Sequence, residues 1–228
     1  MDIRVIPSYK NAHDARGLVV IIDVCISFTT ACFLVQNGGT VALVATIDEA
    51  YTLKKRHPAW VLVCNYGGIR PPSFDYFDSP VEIKKIDFTG KTIVLLAPEG
   101  VRGILQATHA QEIIAASFVN AGAVIDYIVS CASPAVSLVC TEDRYRYNED
   151  LFCVSYIKNT LEGKRVDFRQ IKQYLTVSPA ARGFVENRKA SGVLRDFNLC
   201  LTIDMVPVVL KVRRGRNNLL FLDKVINV

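Results

Sequence analysis

The stretch GLVVIIDVCISFTTACFLVQNGGTVALVA, residues 17–45, decides the fold. After Gly17 the run LVVII is continuously apolar and rich in β-branched residues up to Asp23, as a strand buried on both faces requires. Ser27 or Thr29 can then cap a helix that runs to about Asn37, Gly38 and Gly39 stop it, and TVALVA supplies a second short buried strand. Strand, helix and strand of this length form a β-α-β unit, which belongs to a parallel sheet.

The same alternation continues outward. Thr46 and Glu49 form a capping box, Pro58 closes the helix that follows, and WVLVC (60–64) is the next strand. Residues 65–80, NYGGIRPPSFDYFDSP, make a long loop of the kind that often carries function. Ser79, Pro80 and Glu82 then read as cap, first helical residue and box partner. Strand KTIVLLA (91–97), helix PEGVRGILQAT (98–108), strand IIAASFVN (113–120), helix AGAVIDYIVSC (121–131) and strand AVSLVC (135–140) follow. The pattern is helical from Asp167 to about Leu199, and strands MVPVVLKV (205–212) and LLFLDKVI (219–226) flank the turn RRGRNN. These elements predict one α/β domain over residues 1–228, of three α/β/α layers, with a largely parallel, mixed sheet and a small antiparallel addition at one edge.

Composition sets bounds on function. Half of the 228 residues are hydrophobic and mean hydropathy is +0.24, yet no apolar run reaches the roughly 18 residues of a spanning helix. The net charge of +5 is too mild and dispersed for a nucleic-acid binder. The basic turn Arg213-Arg214-Gly215-Arg216 has no interleaved aromatics for base stacking and reads as a charged tip that keeps an edge soluble. Seven cysteines, at 25, 32, 64, 131, 140, 153 and 200, include no C-x-x-C pair and sit mostly in apolar runs, so buried free thiols in a cytoplasmic protein are expected. No P-loop, dinucleotide or serine-hydrolase fingerprint occurs. His13, His57 and His109 are scattered in polar settings, which weighs against histidine-centred chemistry.

Ligands of α/β sheets bind outside the carboxyl ends of the strands, and those positions are polar here. They are Asp23, Asn65 to Arg70, Glu99, Asn120, Glu142, Asp143, Glu149 and Asp150. Carboxylates gathered in this way suit Mg²⁺ holding a substrate phosphate. Glu149 and Asp150 equally suit the first turn of a helix. Asp23, directly after an apolar run, lies near the core and needs a partner or a metal. Helix amino termini near Thr29, Ser79 and Gly100 can bind anions, and Arg70 and Arg102 are candidate phosphate or sulfonate clamps or plain surface residues. Cys25 sits where a helix start can activate a thiol, or where a small buried apolar residue fits.

Six segments in order then resemble one family, the magnesium-dependent 2-phosphosulfolactate phosphatases of coenzyme M biosynthesis. They are IDVCISFTT (22–30), GGIRPPSFDYFDSPVE (67–82), GKTIVLLAPEGVRG (90–103), SFVNAGAV (117–124), LVCTEDRYRYNED (138–150) and SGVLRDFNLCLTIDMVPVV (191–209). The resemblance implies an α/β/α fold, Mg²⁺ and hydrolysis of a small anionic phosphoester. It implies catalytic and metal roles for Asp23, Glu149 and Asp150. Substrate contacts fall to Thr29, Thr30, Arg70, Ser79, Gly100 and Asn120, with Pro80 and Glu82 also matching. Three elements depart from it. Ile26-Ser27-Phe28-Thr29 stands for Arg-Ala-Thr-Thr, Phe77-Asp78-Ser79-Pro80 for Gly-Asn-Ser-Pro, and Glu99-Gly100-Val101 for Asn-Gly-Thr. Each removes or opposes a contact to an anion, so a non-catalytic member that binds a small anion or assembles with other chains is the competing expectation. Neither nucleic acid nor membrane is expected as a partner, and homo-oligomerisation is left open.

Overall fold

Buried along its whole length, as its unbroken apolar run requires, strand β2 (Gly17–Ile22) lies between two parallel neighbours, β7 (Ala110–Ala116) and β8 (Ala135–Cys140). This computed structural model describes residues 1–141, 149–177 and 192–225. Successive β2 side chains alternate between layers. Val19 and Ile21 pack with Phe28, Ala31 and Leu34 of α1 (Ser27–Gln36) and with Val101 and Ile104 of α4 (Pro98–Gln106). Leu18, Val20 and Ile22 pack on the other face with α5 (Ala121–Cys131), α6 (Glu149–Leu161), α7 (Phe168–Val177) and α8 (Val193–Cys200). Each such Ile or Leu taken out of water contributes about 1.5–3 kcal/mol.

The sheet has ten strands in the order β1-β8-β2-β7-β9-β10-β3-β6-β4-β5. The remaining strands are β1 (Asp2–Ile6), β3 (Thr40–Val44), β4 (Val61–Cys64), β5 (Tyr76–Phe77), β6 (Thr92–Leu96), β9 (Val209–Arg214) and β10 (Leu220–Val225). Helix α2 (Ile47–Arg56) covers Val44, Leu62, Cys64, Val94 and Leu96. The short α3 (Pro80–Ile83) sits beside α1 and contributes Ile83 to its core. The fold is thus the expected three-layer α/β/α arrangement on a mixed, mostly parallel sheet.

The antiparallel pair, however, lies at the centre of the sheet and not at an edge. β9 pairs antiparallel with β7, and β10 pairs antiparallel with both β9 and β3. The hairpin inserts between two parallel quartets because both its faces are apolar enough to be covered: Leu210, Leu220 and Leu222 lie in the α1 core and Val209 in the opposite one. With three antiparallel junctions in a row, the β3-side quartet runs opposite to the β2-side quartet. Five strand steps separate β2 from β6, and a twist of about 20–25° per step turns one relative to the other by roughly 100–125°. The carboxyl ends of both quartets therefore approach each other at the start of α1, where Ser27 Oγ lies 3.5 Å from Leu96 O.

The sequence reading missed β1, an edge strand paired only to β8, because DIRVI is short, charged and mostly exposed. Of the helical stretch expected over 167–199, α7 and α8 form its two ends, and residues 178–191 lie outside the described residues. No helix among the described residues is long and apolar enough to cross a membrane.

Candidate active site

The amino end of α1 is bare. Its cap position is Ile26, whose side chain cannot accept a hydrogen bond, and the amides of Ser27, Phe28 and Thr29 have no acceptor among the described residues. Helix starts normally satisfy such donors with a side-chain oxygen, and when they do not, the amides and the helix dipole attract an anion. On the same first turn, Thr30 Oγ1 is fully buried without a partner among the described residues.

Three acids border this end. Asp23 follows β2 and is 8% exposed, Glu149 is 9% exposed and Asp150 is 2% exposed. Asp150 ties strand ends together: Val24 N donates to its Oδ1 at 2.8 Å, and Thr141 N and Oγ1 donate to its Oδ2 at 3.2 and 2.9 Å. Burial pushes the neighbouring Cys25 thiol well up. Contact with Cys200 and the charges of Glu149 and Asp150 add to the shift. These causes oppose thiolate formation at Cys25 and do not activate it.

From the other quartet come Asp78 and Ser79, which follow β5. Ser27 Oγ donates to Asp78 Oδ2 at 2.9 Å. Ser79 Oγ donates to Asp196 Oδ1 at 2.7 Å and accepts from Glu82 N at 3.4 Å, while Val81 N also donates to Asp196 at 3.1 Å. Beside them opens a cleft of about 350 Å³ lined by Asn65, Phe77, Ser79, Glu82, Arg195 and Asp196 among others. Burial, with the charge of Asp78 second, pushes the Cys64 thiol up to about 12.

Several expected ligand contacts have other occupations. Thr29 Oγ1 donates to Val24 O at 2.7 Å and lies 2.5 Å from Ser117 Oγ. Its one proton goes to Val24, so Ser117 is the donor in that second bond. Asn120 accepts from Ser117 N and donates to Ala115 O and Val208 O, joining the end of β7 to the approach to β9. Gly100 is a packing glycine, since a Cβ there would come within 2.6 Å of the Phe28 ring. Arg70 is exposed, donates to Asp75 O and lies 5.6 Å over Phe77. Arg102 forms an exposed ion pair with Glu99 at 3.3 Å. Glu142 and Asp143 lie outside the described residues. The sequence reading passed over Asp196, although Val193, Asp196, Phe197 and Cys200 share one buried helical stripe, and an acid in such a stripe signals a buried polar contact.

A family model described as 2-phosphosulpholactate phosphatase matches residues 5–215. The chain belongs to that family. A relative from Carboxydothermus hydrogenoformans, named "Probable 2-phosphosulfolactate phosphatase", is 32% identical over 212 residues, covering 88% of this chain and 87% of its own. Identically named relatives from Thermotoga petrophila and Thermoplasma acidophilum are 32% and 28% identical, over 83% and 86% of this chain and 86% of each of theirs. In this member of the family the bare helix start, the strand-end acids and the Ser79–Asp196 pair fall within the matched segment.

The three acids expected to hold a metal do not form a cage: among the described residues no group of three or more His, Cys, Asp or Glu side chains is placed to hold an ion. Asp150 is engaged with three donors. What the donor set does fit is the leaner mode of magnesium, which takes one or two carboxylates and completes its shell with water and phosphate oxygens. Asp23 and Glu149 carry the carboxylate oxygens that such a mode would use.

Proposed function

We propose that this protein is a cytoplasmic, Mg²⁺-dependent phosphatase of 2-phosphosulfolactate or a closely related small anionic phosphoester. The observation that carries the proposal is the uncapped amino end of α1 beside Asp23, inside the segment matched by the family. The amides of Ser27, Phe28 and Thr29 would hold the phosphoryl oxygens and, being preorganised, would oppose the charge that develops on them. Thr30 Oγ1 would gain its missing partner there. Asp23 would orient the attacking water, and proton transfer falls to a carboxylate because the histidines lie elsewhere, His13 and His109 against each other's loops and His57 stacked on Trp60. Mg²⁺, held by Asp23 and Glu149 when bound, would offset phosphate charge. The free thiols support a reducing compartment.

One observation favours the non-catalytic reading. The Asp78 carboxylate, 3% exposed and bonded to Ser27, puts negative charge at the helix start where phosphate is to bind. Phosphate release from 2-phosphosulfolactate and a panel of small phosphoesters, with Mg²⁺ and with chelator, tests both. Metal-dependent release is expected. A folded, magnesium-supplied protein that releases none from any of them would establish the non-catalytic reading.

A further inference from the structure

We infer a second ligand site, for a nucleotide-sized anion with a flat apolar body, in the cleft between α2, α4 and the tip of the β9–β10 hairpin. The cleft has a volume of about 760 Å³, within the range of about 300–1,000 Å³ typical of small-molecule sites. It runs from Leu43, Val44 and the hairpin tip at one end to Arg56, His57 and Trp60, where α2 ends, at the other, and none of the acids of the candidate active site lines it.

Its lining combines two kinds of side chain, apolar and cationic. The apolar side is made by Leu53, Val101, Leu105 and Leu219, and Leu105 remains 45% exposed within this concave wall. Trp60 adds a ring backed on one face by His57 at 4.1 Å and 11°, so it is held rigid for a flat partner. The cationic part is Arg56 and Arg216, whose guanidinium groups make no hydrogen bond or ion pair with the described residues, and Arg213, which is fixed by Asp223 at 2.5 and 3.2 Å and lies 4.7 Å over Phe221. Of the two acids in the lining, Glu49 is already spent on the amides of Ala45 and Thr46, leaving Asp48 against the two unpaired guanidiniums. A ligand that carries a phosphate for an unpaired guanidinium and a flat base for Trp60 and Leu105 uses both kinds of side chain at once. Inorganic phosphate would use only one of them.

The chain has a single tryptophan, Trp60, so its fluorescence reports this cleft alone. Titration of the full chain with AMP or ATP is expected to give a saturable change in Trp60 emission, and inorganic phosphate is expected to give none. The double variant Arg56→Ala/Arg216→Ala should weaken nucleotide binding at least tenfold, the scale of one lost charge-assisted contact, and Leu105→Glu should abolish it. Circular dichroism and the urea midpoint serve as folding controls for both variants. No saturable change with either nucleotide, an equal change with phosphate alone, or unaltered affinity in the folded double variant would each overturn the inference.

Discussion

Helices α1 and α2 each follow a buried strand of the same sheet, and their amino ends are built in opposite ways. At α2, Thr46 Oγ1 accepts from Glu49 N at 3.2 Å while Glu49 Oε2 accepts from Thr46 N at 3.2 Å and Ala45 N at 2.8 Å. At α1 an isoleucine stands at the cap and three amides have no acceptor among the described residues. A closed capping box stabilises the helix without help, whereas a bare start keeps its electrostatic pull available for a ligand. The difference separates a structural helix start from a functional one within a single chain.

Substitutions at the two ends should therefore have opposite signatures. The largest effect is expected at the bare end: Asp23→Asn should lower phosphate release at least a hundredfold, by analogy with other losses of positioned catalytic groups. Its circular dichroism should remain that of a folded chain, and loss of the fold itself would erase the contrast. Asp150→Asn belongs to both categories. It turns an amide toward Val24 N or Thr141 N, so a loss of about 1–3 kcal/mol in urea unfolding is expected together with reduced turnover. Thr46→Ala, at the closed end, should cost about 1 kcal/mol of stability and leave turnover untouched. A change in turnover there would show that the two ends are not independent.

The gentlest effect concerns pH and treats both quartets alike. Cys25, Cys32, Cys64 and Cys153 all have thiol pKa values raised by burial, so the folded chain keeps protons that the unfolded chain releases near pH 8.5. Stability from these groups is complete below that pH. It declines as pH rises toward about 12, the value for Cys64, because the folded state then binds more protons than the unfolded one. Thermal midpoints measured from pH 7 to pH 10.5 should fall at the alkaline end, and Cys64→Ala should flatten the decline.

Much of this molecule was legible in the sequence. Runs such as LVVII and VSLVC have one physical solution, a strand covered on both faces, and the box at Thr46 and Glu49 forms as spelled. The position of the hairpin was not legible, because a strand's apolarity says that it is covered and not which strands flank it. The same holds for the site. Asp23 announces itself as an acid directly after an apolar run, and Asp150 as an acid in the first turn of a helix. The assignment of Asn120 and Gly100 to ligand contacts rested on their place in the chain, whereas their partners, Val208 O and the Phe28 ring, come from distant segments. Ser79 finds Asp196 across 117 residues, a pairing no local pattern reports.

The central hairpin has a bearing on how the sheet is assembled during synthesis. β9 and β10 leave the ribosome after the other described strands, yet among the described residues they alone link β7 to β3. Until they emerge, the two quartets are separate sheets, each with a long unpaired edge of the kind that recruits foreign strands. Such late, long-range pairing is slow to form. The chain is thus most exposed to aggregation in the interval before residue 209 is made, and interruption of translation there would release two half-sheets with matching open edges.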